Sequence, residues 1–240
     1  MQVDGVVRGV SGGGVFALLL ARLADVQSWF EESPLEVVDR RLSRSLLLGL
    51  RLLSCFPADG AYLSNTEVAV KCDMNLSTAH RYVSTFVVVG LLERDPASRR
   101  YRVVRFGDEG GSGVLVRETG AAAEPGTSVV VALSREQVQQ VARDAARVGA
   151  MSILFCGREE IRALLAAEPE VFEDSRLSRS VIYGLLMLAM FPLDGENLGN
   201  AEVARLLGAN PSSTHRHLTT LVAIGLLERD AEMRRYRLAL

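Results

Sequence analysis

Thr78, Arg81 and Thr85 are spaced to share one flank of a helix, and Ser213, Arg216 and Thr220 repeat that spacing 135 residues later. Successive helical residues turn by about 100°, so positions three, four and seven apart face the same way. Ser77 and Ser212 stand at the starts of the two sets. Short hydroxyls at a helix N-terminus donate to phosphate oxygens beside the helix's own first amides. An arginine one turn further in reaches a guanine edge with two parallel hydrogen bonds. The chemistry expected here is recognition of a phosphate-bearing polymer. The other face of each helix (Ala79, Val83, Phe86 and Val87; Thr214, Leu218, Leu221 and Val222) reads as its core side.

These sets sit inside a duplication. Residues 41–103 and 176–238 align without a gap, and roughly half of the paired positions are identical. Within each copy, residues 42–56 and 177–191 are apolar nearly all round, which calls for a helix covered on several sides. Pro57 to Gly60 and Pro192 to Gly195 end these helices. Short helices follow at 66–72, capped by Ser64 or Asn65, and at 201–207, capped by Asn200. The third helices, 77–89 and 212–224, stop at Gly90 and Gly225. Alternating segments at 91–94 with 100–104, and 226–229 with 235–238, pair as hairpins. Three helices and a hairpin make a winged helix-turn-helix. The expected class is mainly α with small β-hairpin wings (α+β), in tandem.

The hairpin tips add Arg99 and Arg100, and Arg234 and Arg235, placed to meet flanking phosphates or a minor groove. His80 and His215 lie on the helix flank, where packing and DNA contact are both open readings. Tyr101 and Tyr236 read as anchors of the wing. Arg94 and Arg229 adjoin acids (Glu93 and Asp95; Glu228 and Asp230) and read as internal ion-pair partners.

Similarity between the halves extends weakly upstream, so each winged helix is preceded by a short helix-strand-helix segment. We divide the chain into a first unit, 1–105 (winged helix at 41–105), a linker, 106–128, and a second unit, 129–240 (winged helix at 176–240). The linker is rich in Gly, Ala, Ser and Glu, with a short strand at 114–116. A strand at 127–133 and a helix capped by Ser134 open the second unit. The apolar run 15–21 is too short to span a bilayer, and residues 16–20 align with internal residues 151–155. Both read as buried strands, so no leader is expected. The glycines at 12–14 lack a GK[ST] ending and read as loop, not as a phosphate cradle.

The net charge of −2 leaves nucleic-acid affinity to local clusters. Lys71 is the only lysine among 27 basic residues. Cys55, Cys72 and Cys156 read as isolated thiols, without metal-ligand spacing or a disulfide framework. No catalytic set, metal or cofactor is expected, and the cell compartment implied is the cytoplasm, at the nucleoid.

The run Leu76-Ser77-Thr78-Ala79-His80-Arg81-Tyr82-Val83, followed by Gly90-Leu91-Leu92-Glu93-Arg94, resembles the DNA-binding domain of IclR-type transcriptional regulators. Pro211-Ser212-Ser213-Thr214-His215-Arg216-His217-Leu218, with Gly225-Leu226-Leu227-Glu228-Arg229, resembles it again. The Arg-Arg-Tyr-Arg endings at 99–102 and 234–237 resemble that family's wing. The resemblance implies a bacterial transcriptional regulator whose partner is double-stranded DNA. Expected DNA contacts are Ser77, Thr78, His80, Arg81, Thr85, Arg99 and Arg100, then Ser212, Ser213, His215, Arg216, Thr220, Arg234 and Arg235. Such regulators carry an effector-binding domain after one winged helix. Here a second winged helix stands in that place, so no effector domain is expected. A homodimer through the apolar first helices or the upstream segments is a further expectation. Rival readings are a non-catalytic scaffold of a chromosome-organising complex and a plasmid-type replication initiator.

Overall fold

A computed structural model describes residues 19, 22–33, 39–57, 59–104, 161, 174–192 and 195–239. The expected linker 106–128, its strand 114–116, the strand 127–133, the helix capped by Ser134 and the segment 151–155 lie outside them. Leu19 is helical and fully buried, which corrects the strand expected at that position.

Helix α1 (Leu23–Glu32) packs on α2 (Arg44–Ser54), the first helix of the first winged unit. Ser43 enters α2 in extended conformation and its hydroxyl accepts from the Leu46 amide at 3.4 Å. The next helix, α3 (Asn65–Lys71), begins with a reciprocal cap: the Glu67 amide donates to the Ser64 hydroxyl and the Ser64 amide to the Glu67 carboxylate. Asn75 caps α4 (Leu76–Val88), accepting from the Thr78 amide at 2.8 Å. Past α4, Gly90 takes the left-handed φ of +80°, and the Leu91 amide reaches back to the Phe86 carbonyl at 2.8 Å. That six-to-one closure stops the helix and turns the chain into the wing. The wing pairs β1 (Leu92–Arg94) with β2 (Tyr101–Val103) antiparallel, Leu92 opposite Val103 and Arg94 opposite Tyr101.

The second unit repeats the path through α5 (Arg179–Ala189), β3 (Leu198–Gly199), α6 (Asn200–Leu206), α7 (Pro211–Ala223), β4 (Leu227–Arg229) and β5 (Arg235–Leu238). Gly199 occupies the cap position of α6, so Asn200, expected there, is the helix's first residue instead. Its side-chain amide donates across to the Pro211 carbonyl at 3.2 Å. β3 adds a third strand, in the order β3-β5-β4. In the first unit the same contact shrinks to one bridge, Leu63 with Tyr101.

The apolar first helices meet each other. α2 and α5 cross where each has a glycine: Gly49 faces Val181, and Gly184 faces Leu46, the equivalent residue of the other copy. A methyl at Gly184 would stand 2.5 Å from Leu46 Cδ1, and one at Gly49 would overlap Val181 Cγ2. Leu46, Leu50, Leu53, Val181, Ile182 and Leu185 are 0–1% exposed. Burying a side chain of this kind contributes about 1.5–3 kcal/mol. One core therefore runs through both units, and the face expected as an interface between copies or between chains is used within the chain.

Candidate nucleic-acid interface

Both third helices present their first turns to solvent. Ser77, His80 and Arg81 are exposed on α4, with Thr78 half-buried, and Ser212, Ser213, His215 and Arg216 are exposed on α7. Asn75 and Asn210 cap these helices with their side chains, so the hydroxyls of Ser77 and Ser212 are not needed as caps. His80 Nδ1 lies 3.2 Å from the Ser84 hydroxyl, and His215 Nδ1 lies 3.3 Å from the hydroxyl of Tyr236. His215 thereby links its recognition helix to its wing.

The two arginines differ. Arg81 donates from Nε and Nη2 to the Leu177 carbonyl of the other unit, at 3.1 and 3.0 Å. Among the described residues the Arg216 guanidinium has no hydrogen-bond or ion-pair partner, and the residue is exposed. The groove beside Arg81 is lined also by Asp174 and Arg176, which the sequence pattern did not single out. Asp174 accepts from the Arg176 guanidinium at 2.8 Å, a bond that lowers the Asp174 carboxyl below its ordinary range.

Thr85 and Thr220, expected on the DNA face, are fully buried between the units. Each hydroxyl donates to the carbonyl four residues earlier, at 2.7 Å (Arg81 and Arg216). Each also accepts from the other unit: the Ser178 amide donates to Thr85 Oγ1 and the Ser43 amide to Thr220 Oγ1, both at 2.8 Å. Ser43 and Ser178 occupy the N-cap positions of α2 and α5, and only Ser43 also caps through its hydroxyl. These threonines therefore close the seam between copies, and their assignment as DNA contacts is corrected. Periodicity placed them on the arginine's flank but did not say what covers that flank.

One residue of the seam differs between the copies. At the place of Tyr82, whose hydroxyl meets Ser45 at 3.1 Å, the second copy has His217. His217 is 8% exposed, with Nδ1 2.7 Å from the Ser213 carbonyl, and Nε2 is buried without a hydrogen-bond partner among the described residues. Burial lowers its pKa below the ordinary imidazole value, and the charge of Arg216 adds to that.

On the wings, the paired arginines separate into two roles. Arg100 donates to the Tyr62 carbonyl at 2.9 Å and to Glu67, and Arg235 donates to the Asn197 carbonyl at 2.7 Å and to Glu202. Both fasten the wing to the helix-turn-helix, and both side chains stay partly exposed, 40% and 39%. Arg99 and Arg234 sit exposed in left-handed turns, φ +58° and +54°, their amides bonded to the Asp95 and Asp230 carbonyls and their guanidinium groups without partners among the described residues. Tyr101 and Tyr236 are buried beneath the wings. Arg94 and Arg229 lie over those rings, 5.9 Å from each centroid, where ion pairs with neighbouring acids were expected. The acids pair across the hairpin instead, Glu93 with Arg102 and Glu228 with Arg237.

Exposed recognition helices, braced wings and a helical core define the winged helix-turn-helix class. The model of the IclR helix-turn-helix domain, a DNA-binding regulatory domain, matches residues 45–96 and again residues 175–231, so each unit is similar to it. No curated protein matches the chain. Among the described residues no helix is long and apolar enough to cross a membrane.

Proposed function

We propose that the chain is a sequence-specific transcriptional regulator that reads double-stranded DNA through both winged helices. The observation that carries this reading is Arg216: an exposed, unpartnered guanidinium on the first turns of a helix inside the second IclR-type match. Arg216 reads a base edge, Ser212 and Ser213 hold phosphates with the α7 amides, and Arg99 and Arg234 grip the backbone. Arg81 does the same in the first unit once it leaves the Leu177 carbonyl, with Ser77 and Thr78 beside it. The seam through α2 and α5 supplies within one chain the pairing that a dimer of single winged helices obtains from two. A bound site with half-sites about 34 Å apart is expected. Leu76 against Pro211, both exposed at the starts of the third helices, lets the half-sites differ.

Genome-wide recovery of bound fragments, followed by titration against salt, tests the reading. Affinity should fall steeply as salt rises. Arg216→Ala should weaken binding by about 1–3 kcal/mol, roughly 5- to 150-fold, and relax the preference at one base pair. Arg234→Ala should weaken all sequences alike. If Arg216→Ala and Arg81→Ala both leave affinity unchanged in a folded protein, the recognition helices are misassigned. The tie of Arg81 to Leu177 favours one second reading, a non-catalytic scaffold, which predicts absent or salt-insensitive DNA binding.

A further inference from the structure

The two sulfurs of the first winged unit are not isolated. Cys55 follows α2 and Cys72 follows α3, and the Cys72 thiol donates to Cys55 Sγ across 2.9 Å. We propose that this pair is a reversible oxidation site, closing to an intramolecular disulfide when a hydroperoxide reaches the first unit. The sulfurs need to approach by less than about 1 Å to reach the bond length of about 2.05 Å. Cys55 is half-buried and so open to a small oxidant, whereas Cys72 is buried behind it. The hydrogen bond from Cys72 lowers the Cys55 thiol below its ordinary value, and the charges of Arg51 and Lys71 act in the same direction. The same hydrogen bond, with burial, raises the Cys72 thiol. Cys55 is thus the nucleophile and Cys72 the resolving thiol.

The chemistry balances. The Cys55 thiolate attacks the peroxide oxygen, the O–O bond breaks, and with one proton taken up the products are a sulfenic acid and water (an alcohol where the hydroperoxide is organic). Cys72 then attacks the Cys55 sulfur and loses its proton, the S–O bond breaks, and a second water leaves. Two exchanges with an external thiol restore the pair. At the equivalent positions the second unit has Met190 and Leu207, which cannot form the bond. Oxidation therefore marks one copy alone. It ties the helix of the seam to the residue that precedes Asp73, φ +49°, where the chain turns toward α4. That staple stiffens the mount of one recognition helix and leaves the other unchanged.

The test treats the purified full chain with hydrogen peroxide, digests it with trypsin without reduction, and follows thermal unfolding. Cleavage after Arg51, Lys71 and Arg81 places Cys55 and Cys72 on different peptides, and Cys156 lies on a third. The expected result is a linked pair two hydrogens lighter than the separate thiols, reversed by dithiothreitol. A rise in Tm of about 5 °C or more should accompany it, and Cys55→Ser and Cys72→Ser should each abolish both changes. Free thiols after peroxide treatment, a link through Cys156, or Cys55 carried to sulfinic acid without linkage would overturn the proposal. The peptide result on the unsubstituted chain stands even if a serine variant fails to fold.

Discussion

Thr85 and Thr220 show how a short polar side chain on the flank of a recognition helix can serve the protein rather than its ligand. Each offers the acceptor for a capping-residue amide of the other unit, in a place without access to solvent. Replacing the hydroxyl by a methyl keeps the shape and strands that amide, which costs about 1–3 kcal/mol. Thr85→Val and Thr220→Val should each lower the free energy of unfolding by that amount in chemical denaturation, while Ser at either position restores most of it. His217 adds a pH dependence. Its folded pKa lies below the unfolded imidazole value, so the unfolded chain binds the proton first. The stability it leaves intact at pH above about 6.5 is lost as pH falls from there toward the depressed folded value. Denaturation between pH 7.5 and 5.5 should show this loss, and His217→Tyr, the residue of the first copy, should remove this part of the slope.

At the scale of elements, the wings are held at both ends. Arg100 and Arg235 clamp the strand to the carbonyls of Tyr62 and Asn197, and an aspartate at each tip braces the turn. Asp95 accepts from Ser98, hydroxyl and amide, and Asp230 accepts from the Glu232 and Met233 amides at 2.8 Å. These bonds lower both carboxyls, the Ser98 hydroxyl contributing most at Asp95 and the Met233 amide at Asp230. A depressed folded pKa means the brace is complete above the ordinary carboxylate value, about 3.9, and lost as pH falls through the depressed one. The Ser98 and Met233 amide resonances should therefore hold steady from pH 7 to 5 and move only below about pH 4. The element order was legible beforehand because caps, glycine stops and alternation act within a few residues. β3 was not, since its two residues become a strand only through Arg235 and Tyr236.

Across the whole molecule, two helices that lack a polar face solve their burial problem on each other. The crossing requires glycine at equivalent positions, and Gly49→Ala or Gly184→Ala should each cost about 1–3 kcal/mol through overpacking against Val181 or Leu46. Unfolding of the two single variants and the double variant reads this directly. Because both alanines press on one seam, the double variant should depart from the sum of the singles. A seam that tolerated both alanines at no cost would mean the helices can slide apart, and with them the two recognition helices.

The sequence by itself determined the repeat, the helix-turn-helix order, the hairpin wings and the arginine at the start of each third helix. Those follow from periodicity, capping residues and stops, which are local. It placed the recognition face by angle alone. Only the tertiary structure decided that Thr85 and Thr220 lie under the sister unit, that Arg81 is tied while Arg216 is free, and that Arg100 and Arg235 turn inward. The same holds for Cys55 and Cys72, which meet because the ends of two helices do. Each of these depends on which surface covers which, and a packing partner far away in sequence leaves no mark on the local pattern.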